Sequence, residues 1–316
     1  MRRLTGTRVV VLGGSGFLGR HLRTAYRSAG ADVVGVSRTA GPAHGGTGER
    51  SLAFDLAEAG RTELLDLLSG LRPDVIVNAA GAVWQVTEEE MRRANDELVA
   101  ALTAAVAELP GRPRLIQLGS VHEYGAGDPD TGITEEREPA PVNAYGRSKL
   151  RATRHVLDAA EAGELDGVVL RMANIIGPGS PAGSLLGGVA AHLQRFARDS
   201  GSTDAELVLG PLRAERDFVD VRDVVDAVLA VGSAPASGVS GRVVNVGSGQ
   251  AVRSGRVVER LIELSGLPVR LVERSADPNR SDLDCLWLDI SRARRLLGWE
   301  PRRDLDASLA GLLAAV

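Results

Sequence analysis

The apolar positions of this chain fall into two rhythms that take turns. Short runs of mainly Val, Ile and Leu occur at 8–12, 32–37, 51–55, 74–78, 115–118 and 167–172. Between them, 17–29, 61–69, 88–108 and 144–162 carry apolar residues three and four apart with polar residues on the opposite side. The runs predict strands, and the longer stretches predict helices, because residues i and i+4 share a helix face. The strands are apolar throughout instead of alternating, which marks a parallel sheet covered on both faces. Strict strand–helix alternation implies right-handed crossovers. The predicted class is α/β, a doubly wound parallel sheet. Beyond 172 the rhythm loosens into a Gly/Pro/Ser run at 177–188, a helix, a short strand near Leu207 and a helix over 221–231. A strand over 242–246 and helices over 254–264 and 291–297 follow. This reads as a smaller mixed α/β substrate lobe. The division falls at 1–173 and 174–316, with some crossing back near 207–240. Loops 39–50 and 125–141 are polar and rich in Gly and Pro, which makes both candidate flaps over a site.

Composition narrows the class of partner. At 316 residues the chain can bury a full core in one large or two joined domains. A net charge of -4, with basic and acidic residues interspersed, gives no electrostatic footprint for nucleic acid. Aromatics at 3% leave no stacking surface for single strands. No apolar run is long enough to span a bilayer. The basic start passes through Val9, Val10, Val11 and Leu12 straight into glycines, so it reads as a strand and not a leader. The expected location is the cytoplasm. The single Cys285 excludes an intrachain disulfide and argues against a thiolate metal cluster, so no metal is predicted.

Candidate chemistry begins directly after the first strand. Gly13-Gly14-Ser15-Gly16-Phe17-Leu18-Gly19 opens the first helix. In that position Gly13 permits a tight turn, Gly16 lets backbone approach a pyrophosphate, and Gly19 lets helix pack on strand. The N–H groups of the helix start then hold the anion. This predicts a Rossmann dinucleotide site. An NAD site usually places an acidic residue at the end of the second strand. Here Ser37 and Arg38 stand there instead. A hydroxyl followed by a guanidinium suits a 2′-phosphate, so the expected cofactor is NADP(H). Arg20 could add to that pocket, and Arg38 could equally face solvent. Asp55, ending the third strand, suits either the adenine amine or a helix N-cap.

Of 37 basic residues, Lys149 is the sole lysine. In a chain where nearly every cation is Arg, the surviving lysine marks a place where a compact ammonium is needed. It stands four residues after Tyr145, on the same helix face. An ammonium there favours the phenolate and draws the phenol toward neutrality. Ser120 ends the fifth strand, on the edge where doubly wound sheets bind ligands.

GGSGFLG, LGSVHEYG and YGRSK, in this order and spacing, resemble the extended short-chain dehydrogenase/reductases, and within them the NAD-dependent epimerase/dehydratase group that acts on nucleotide sugars. LRMANIIGP, RDFVDVRD, NVGSG and LLGWEP carry the likeness to the C-terminal end. The resemblance implies that Tyr145 is the general acid to a ketone oxygen, that Ser120 hydrogen-bonds that oxygen, and that Lys149 also binds the nicotinamide ribose. It implies further cofactor contacts from Leu56, Ala79, Ala80 and Gly81, and a homodimer through the helices at 88–108 and 144–162.

Departures from the family pattern bear on the reaction. Similar sugar 4,6-dehydratases carry Asp-Glu where this chain has Val121 and His122, which argues against water loss. Cys285 lies far down the chain from this strand, which argues against epimerase-reductase chemistry that needs a thiol. Arg38 argues against a tightly held NAD. What remains is an NADPH-dependent reduction of the 4-keto group of an NDP-4-keto-6-deoxyhexose, TDP-linked by likeness. Arg216 and Arg280 are candidate diphosphate ligands, Asn174 a candidate at the sugar phosphate, and His122 one at the sugar. Each also has an ordinary surface or packing role open to it. Two rivals are a nucleotide-sugar 4-epimerase with bound NAD and a catalytically silent NADP-binding sensor.

Overall fold

The computed structural model describes residues 4–39, 50–83, 86–198, 205–274 and 285–315. The first half builds β1 (Arg8–Leu12), β2 (Asp32–Ser37), β3 (Arg50–Ala53), β4 (Val75–Asn78), β5 (Arg114–Ser120) and β6 (Asp166–Met172). Interleaved with them are α1 (Phe17–Ser28), α2 (Arg61–Leu71), α3 (Glu88–Arg92), α4 (Leu98–Ala107) and α5 (Ala144–Glu161). The second half adds strands β7 (Asn174–Ile176), β8 (Ala205–Leu209), β9 (Glu215–Arg216), β10 (Phe218–Asp220), β11 (Arg242–Val246), β12 (Val252–Arg253), β13 (Val269–Glu273) and β14 (Cys285–Leu286). Its helices are α6 (Leu185–Arg198), α7 (Val221–Ser233), α8 (Ala236–Val239), α9 (Ser254–Ser265), α10 (Ser291–Leu297) and α11 (Leu305–Ala314).

Seven strands form one sheet in the order β11-β6-β5-β4-β1-β2-β3, and every pairing in it is parallel. Successive side chains point to opposite faces, and both faces are apolar. Val9 and Val11 meet Leu22 and Tyr26 of α1 and Val224 and Val228 of α7 in one core. Val10 and Leu12 join Leu64 and Leu68 of α2, Leu102 of α4 and Val156 of α5 in the other. Each such side chain contributes about 1.5–3 kcal/mol by leaving water. This is the doubly wound sheet that the uninterrupted apolar runs predict. A third core, around Leu186, Val189, Leu193, Val257, Leu261 and Leu309, holds the smaller lobe of α6, α9, α11 and the short strands.

Several details differ from the sequence reading. The chain returns to the large sheet through α7 and β11, which pairs along β6, so the crossing extends past 240. The helix expected over 88–108 is broken by a π-helical turn at Arg93–Glu97. α6 begins inside the supposed Gly/Pro/Ser loop, because Leu186, Val189, Ala190 and Leu193 form a buried stripe that outweighs Gly187 and Gly188. α11 went unrecognised. The 125–141 loop is no flap. Ile133 is buried, its N–H donates to Trp287 O at 2.9 Å, and its carbonyl accepts from Asp289 N–H at 3.0 Å. Most of the other expected flap, 40–49, lies outside the described residues.

Candidate active site

The glycine turn after β1 is shaped by steric necessity. Gly13 has φ +76°, and a Cβ there would lie 2.7 Å from the Ala79 and Ala80 backbone. A Cβ on Gly19 would lie 2.1 Å from Gly13 O, so only glycine lets α1 sit this close to the turn. Gly16 is the N-cap of α1 and supplies no side-chain cap. The first-turn N–H groups therefore keep their donors, which fits an anionic pyrophosphate. Ser15 and Gly16 are exposed, and Phe17 and Leu18 are half-buried beside them.

The cofactor's far end is less simply arranged. Ser37 is buried and its Oγ donates to Thr39 O at 2.9 Å, while Arg38 is exposed at the end of β2. Arg20 donates to Ser15 O at 2.7 Å, which holds it on the glycine turn. Leu56 is buried. Asp55 is not a helix N-cap: its Oδ1 accepts from Ala57 N–H at 3.1 Å in a local turn, and α2 starts after Gly60. Sequence reasoning also missed Arg23. This guanidinium is buried over Gly35, where a Cβ would lie 2.6 Å from Nε, and it donates to Ser51 Oγ at 2.8 Å. It places a positive charge against the glycine turn, its Nη1 3.4 Å from Gly14 O.

A cavity of about 600 Å³ opens at the carboxyl edge of the sheet. Phe17, Leu18, Ala79, Ala80 and Gly81 line one side, Ser120, His122, Tyr145 and Lys149 the floor, and Asn174, Pro211, Arg216 and Phe218 the far wall. Gly13, Ser15, Gly16, Gly19, Ser37, Arg38, Asp55 and Leu56 lie outside its lining. Ser120, Tyr145 and Lys149, far apart in sequence, thus share one chamber. The Ser120 side chain favours the ionised form of the Tyr145 phenol, against the effect of burial. Asn143 caps α5 by accepting from Gly146 N–H at 2.7 Å, which fixes the helix start that carries Tyr145.

The expected acidification of Tyr145 is not found. Burial pushes the phenol up to about 12; the Ser120 side chain draws it down and the charge of Glu123 raises it. Lys149 is buried, and loss of hydration pulls its ammonium below the ordinary lysine range, against the opposing charge of Glu123. Its Nζ donates to Leu118 O at 2.5 Å. The phenol is thus held protonated, the form that can donate.

Of the candidate substrate residues, His122, Asn174 and Arg216 line the chamber together. The His122 ring meets Tyr145 edge-on at 5.9 Å between centroids. Its Nδ1 is buried without a partner, and burial together with Arg216 pushes it down to about 4, so it is neutral at physiological pH. Asn174 Nδ2 donates to Asp217 O at 3.0 Å, and Arg216 Nη1 to Glu215 O at 2.8 Å. Arg280 lies outside the described residues. Asn95 was missed. The π-helical turn brings it into the chamber, where it donates to Ala82 O at 2.8 Å and Ser148 Oγ at 3.2 Å. Flanked by Arg92, Arg93, Asp96 and Glu97, it had no local signal to set it apart.

A parallel sheet with an uncapped glycine turn at one strand end and Ser, Tyr and Lys converging at the next defines a dinucleotide-fold protein built for chemistry beside its cofactor cleft. The chain belongs to the NAD dependent epimerase/dehydratase family, whose pattern it matches over residues 9–247. It is 45% identical over 310 residues to dTDP-6-deoxy-L-talose 4-dehydrogenase (NAD(P)(+)) of Kitasatospora kifunensis, covering 98% of this chain and 95% of that protein. It is 30% identical over 340 residues to a UDP-glucose 4-epimerase of Azospirillum brasilense, covering 97% and 91%. Among solved structures it resembles RMD of Pseudomonas aeruginosa complexed with NADPH, with a TM-score of 0.80, 25% identity and coverage of 100% and 98%. Among the described residues no helix is long and apolar enough to cross a membrane.

Proposed function

We propose that this protein is an NAD(P)-dependent oxidoreductase that reduces the 4-keto group of an NDP-6-deoxyhexose, dTDP-linked, with NADPH as the preferred donor. The observation that carries the reading is the Ser120–Tyr145–Lys149 chamber, with a protonated phenol at its floor. The relative from Kitasatospora, whose name specifies a dTDP-6-deoxyhexose and oxidoreduction at carbon 4, supports the sugar class.

When bound, the nicotinamide supplies or accepts hydride at the sugar carbon. The protein's part is positional and protonic. The first turn of α1 holds the pyrophosphate through its N–H groups. Tyr145 gives its proton to the carbonyl oxygen as charge develops there, and Ser120 Oγ hydrogen-bonds the same oxygen. Lys149 binds the nicotinamide ribose and stabilises the phenolate left behind. His122, neutral, offers a hydrogen bond to a sugar hydroxyl without introducing charge.

Purified protein should consume NADPH with a dTDP-4-keto-6-deoxyhexose and form one 4-hydroxy product. A protein that arrives with NAD bound and interconverts C4 epimers with no net redox change is instead an epimerase, a reading the Azospirillum relative supports. Arg38→Ala should raise the KM for NADPH about tenfold, roughly the 1.4 kcal/mol that one exposed phosphate contact supplies, and leave that for NADH unchanged. Equal effects on both cofactors would remove Arg38 from the 2′-phosphate site. Two-fold association through α4 and α5 belongs to the same proposal, and a monomeric mass by light scattering contradicts it.

A further inference from the structure

Beneath the chamber lies a buried carboxylate that none of the roles above uses. Glu123 is 0% exposed. Its Oε1 accepts from Ser120 N–H at 2.8 Å, while Ser120 Oγ accepts from His122 N–H at 3.3 Å, so serine and glutamate cap one another. Its Oε2 accepts from Thr153 Oγ1 at 2.8 Å and from Arg171 Nε at 2.7 Å. Thr153 lies one helical turn after Lys149 on α5, and Arg171 precedes Met172, Ala173 and Asn174 on and just past β6. One carboxylate therefore joins the serine strand, the tyrosine–lysine helix and the strand leading to the substrate wall. The backbone is cut to fit it, for a Cβ on Gly119 would lie 2.6 Å from Glu123 Oε1.

We propose that Glu123 is the positioning residue of this site: without touching the substrate it registers Ser120 against the helix of Tyr145 and Lys149, and it is the buried counter-charge to the Lys149 ammonium. This rests on the functional reading of Tyr145 and Lys149 given above.

The charged and titratable groups around it are few. Arg171 faces it from β6 and also stacks on Tyr124, 4.4 Å from the ring centroid. From α5, Lys149 and Tyr145 feel its charge, which raises both. Glu135, in the loop against Tyr124, acts on the Tyr124 phenol. His122 adjoins it in sequence; its ring meets Tyr145 edge-on and feels the charge of Arg216. Arg171 neutralises the carboxylate's net charge, so burial of the pair is tolerated. Lys149 is buried, and Glu123 supplies an opposing charge to it. Without Glu123 the ammonium would lose that opposing charge and shed its proton more readily.

The chain's sole lysine makes the test direct, since protein labelled with ¹⁵N-lysine gives one side-chain signal. In full-length E123Q the titration midpoint of Lys149 should fall by about one unit or more. The alkaline limb of kcat/KM should move the same way. T153V removes one hydrogen bond and no charge, and should leave the midpoint in place while lowering kcat. If E123Q does not fold, E123Q/R171M removes the stranded guanidinium too and should shift the midpoint in the same direction. A midpoint unmoved in the glutamine variants, or moved as far by T153V, overturns the assignment. An active Tyr145→Phe enzyme would instead overturn the reading of Tyr145 as proton donor, leaving the lysine titration to judge Glu123 by itself.

Discussion

Tyr145→Phe should lower the reductase rate by about 10²–10⁴-fold, the usual worth of a positioned proton donor. The loss should fall on kcat, with NADPH binding retained. The ring stays half-buried against His122, so phenylalanine keeps the packing and the edge-on contact and removes one hydroxyl. That hydroxyl is the proton donor of the proposed mechanism, and the Ser120 side chain acts on it. With the phenol pushed up to about 12, the donor form dominates across neutral pH in the cofactor-free protein. The wild-type reduction rate should therefore hold level through neutrality and fall only on the alkaline side. A variant that keeps more than a tenth of wild-type kcat would place the proton donor on another acid. Stopped-flow measurement of NADPH oxidation separates the chemical step from product release.

Arg171→Met should destabilise the fold by about 3–5 kcal/mol in urea unfolding, the cost of stranding a buried charge. Glu123 is 0% exposed and Arg171 3%, so water cannot replace the missing guanidinium. The methionine fills much of the arginine stem's volume, which confines the effect to the charge and to the contact with Tyr124. Replacing both partners, as R171M/E123M, should recover most of the loss, because an apolar pair of similar volume needs no hydration. The double-mutant cycle then measures the coupling. A single-variant loss under about 1 kcal/mol would mean the pair is no tighter than an exposed ion pair.

Much of the fold was legible because its signals are local. β1 and β2 were readable residue for residue, since a strand buried on both faces must be apolar throughout. The glycine turn was readable because only glycine tolerates the positive φ of Gly13 and the contact at Gly19. The start of α6 was hidden because Gly187 and Gly188 interrupt its hydrophobic stripe, and β9 and β12, two residues each, left no pattern to read.

From sequence alone came the sheet class, the dinucleotide turn, the family and the convergence of Ser120, Tyr145 and Lys149, because each is carried by residue type at fixed spacing. Tertiary structure decided the electrostatics. Whether Tyr145 is acidified or held protonated depends on desolvation and on Glu123. Glu123 in turn is partnered by Thr153 and Arg171, 30 and 48 residues along the chain. Tertiary structure also decided that β11 completes the large sheet and that Asn95 enters the chamber through a π-helical turn. Burial and long-range pairing have no local pattern, so no window of sequence contains them.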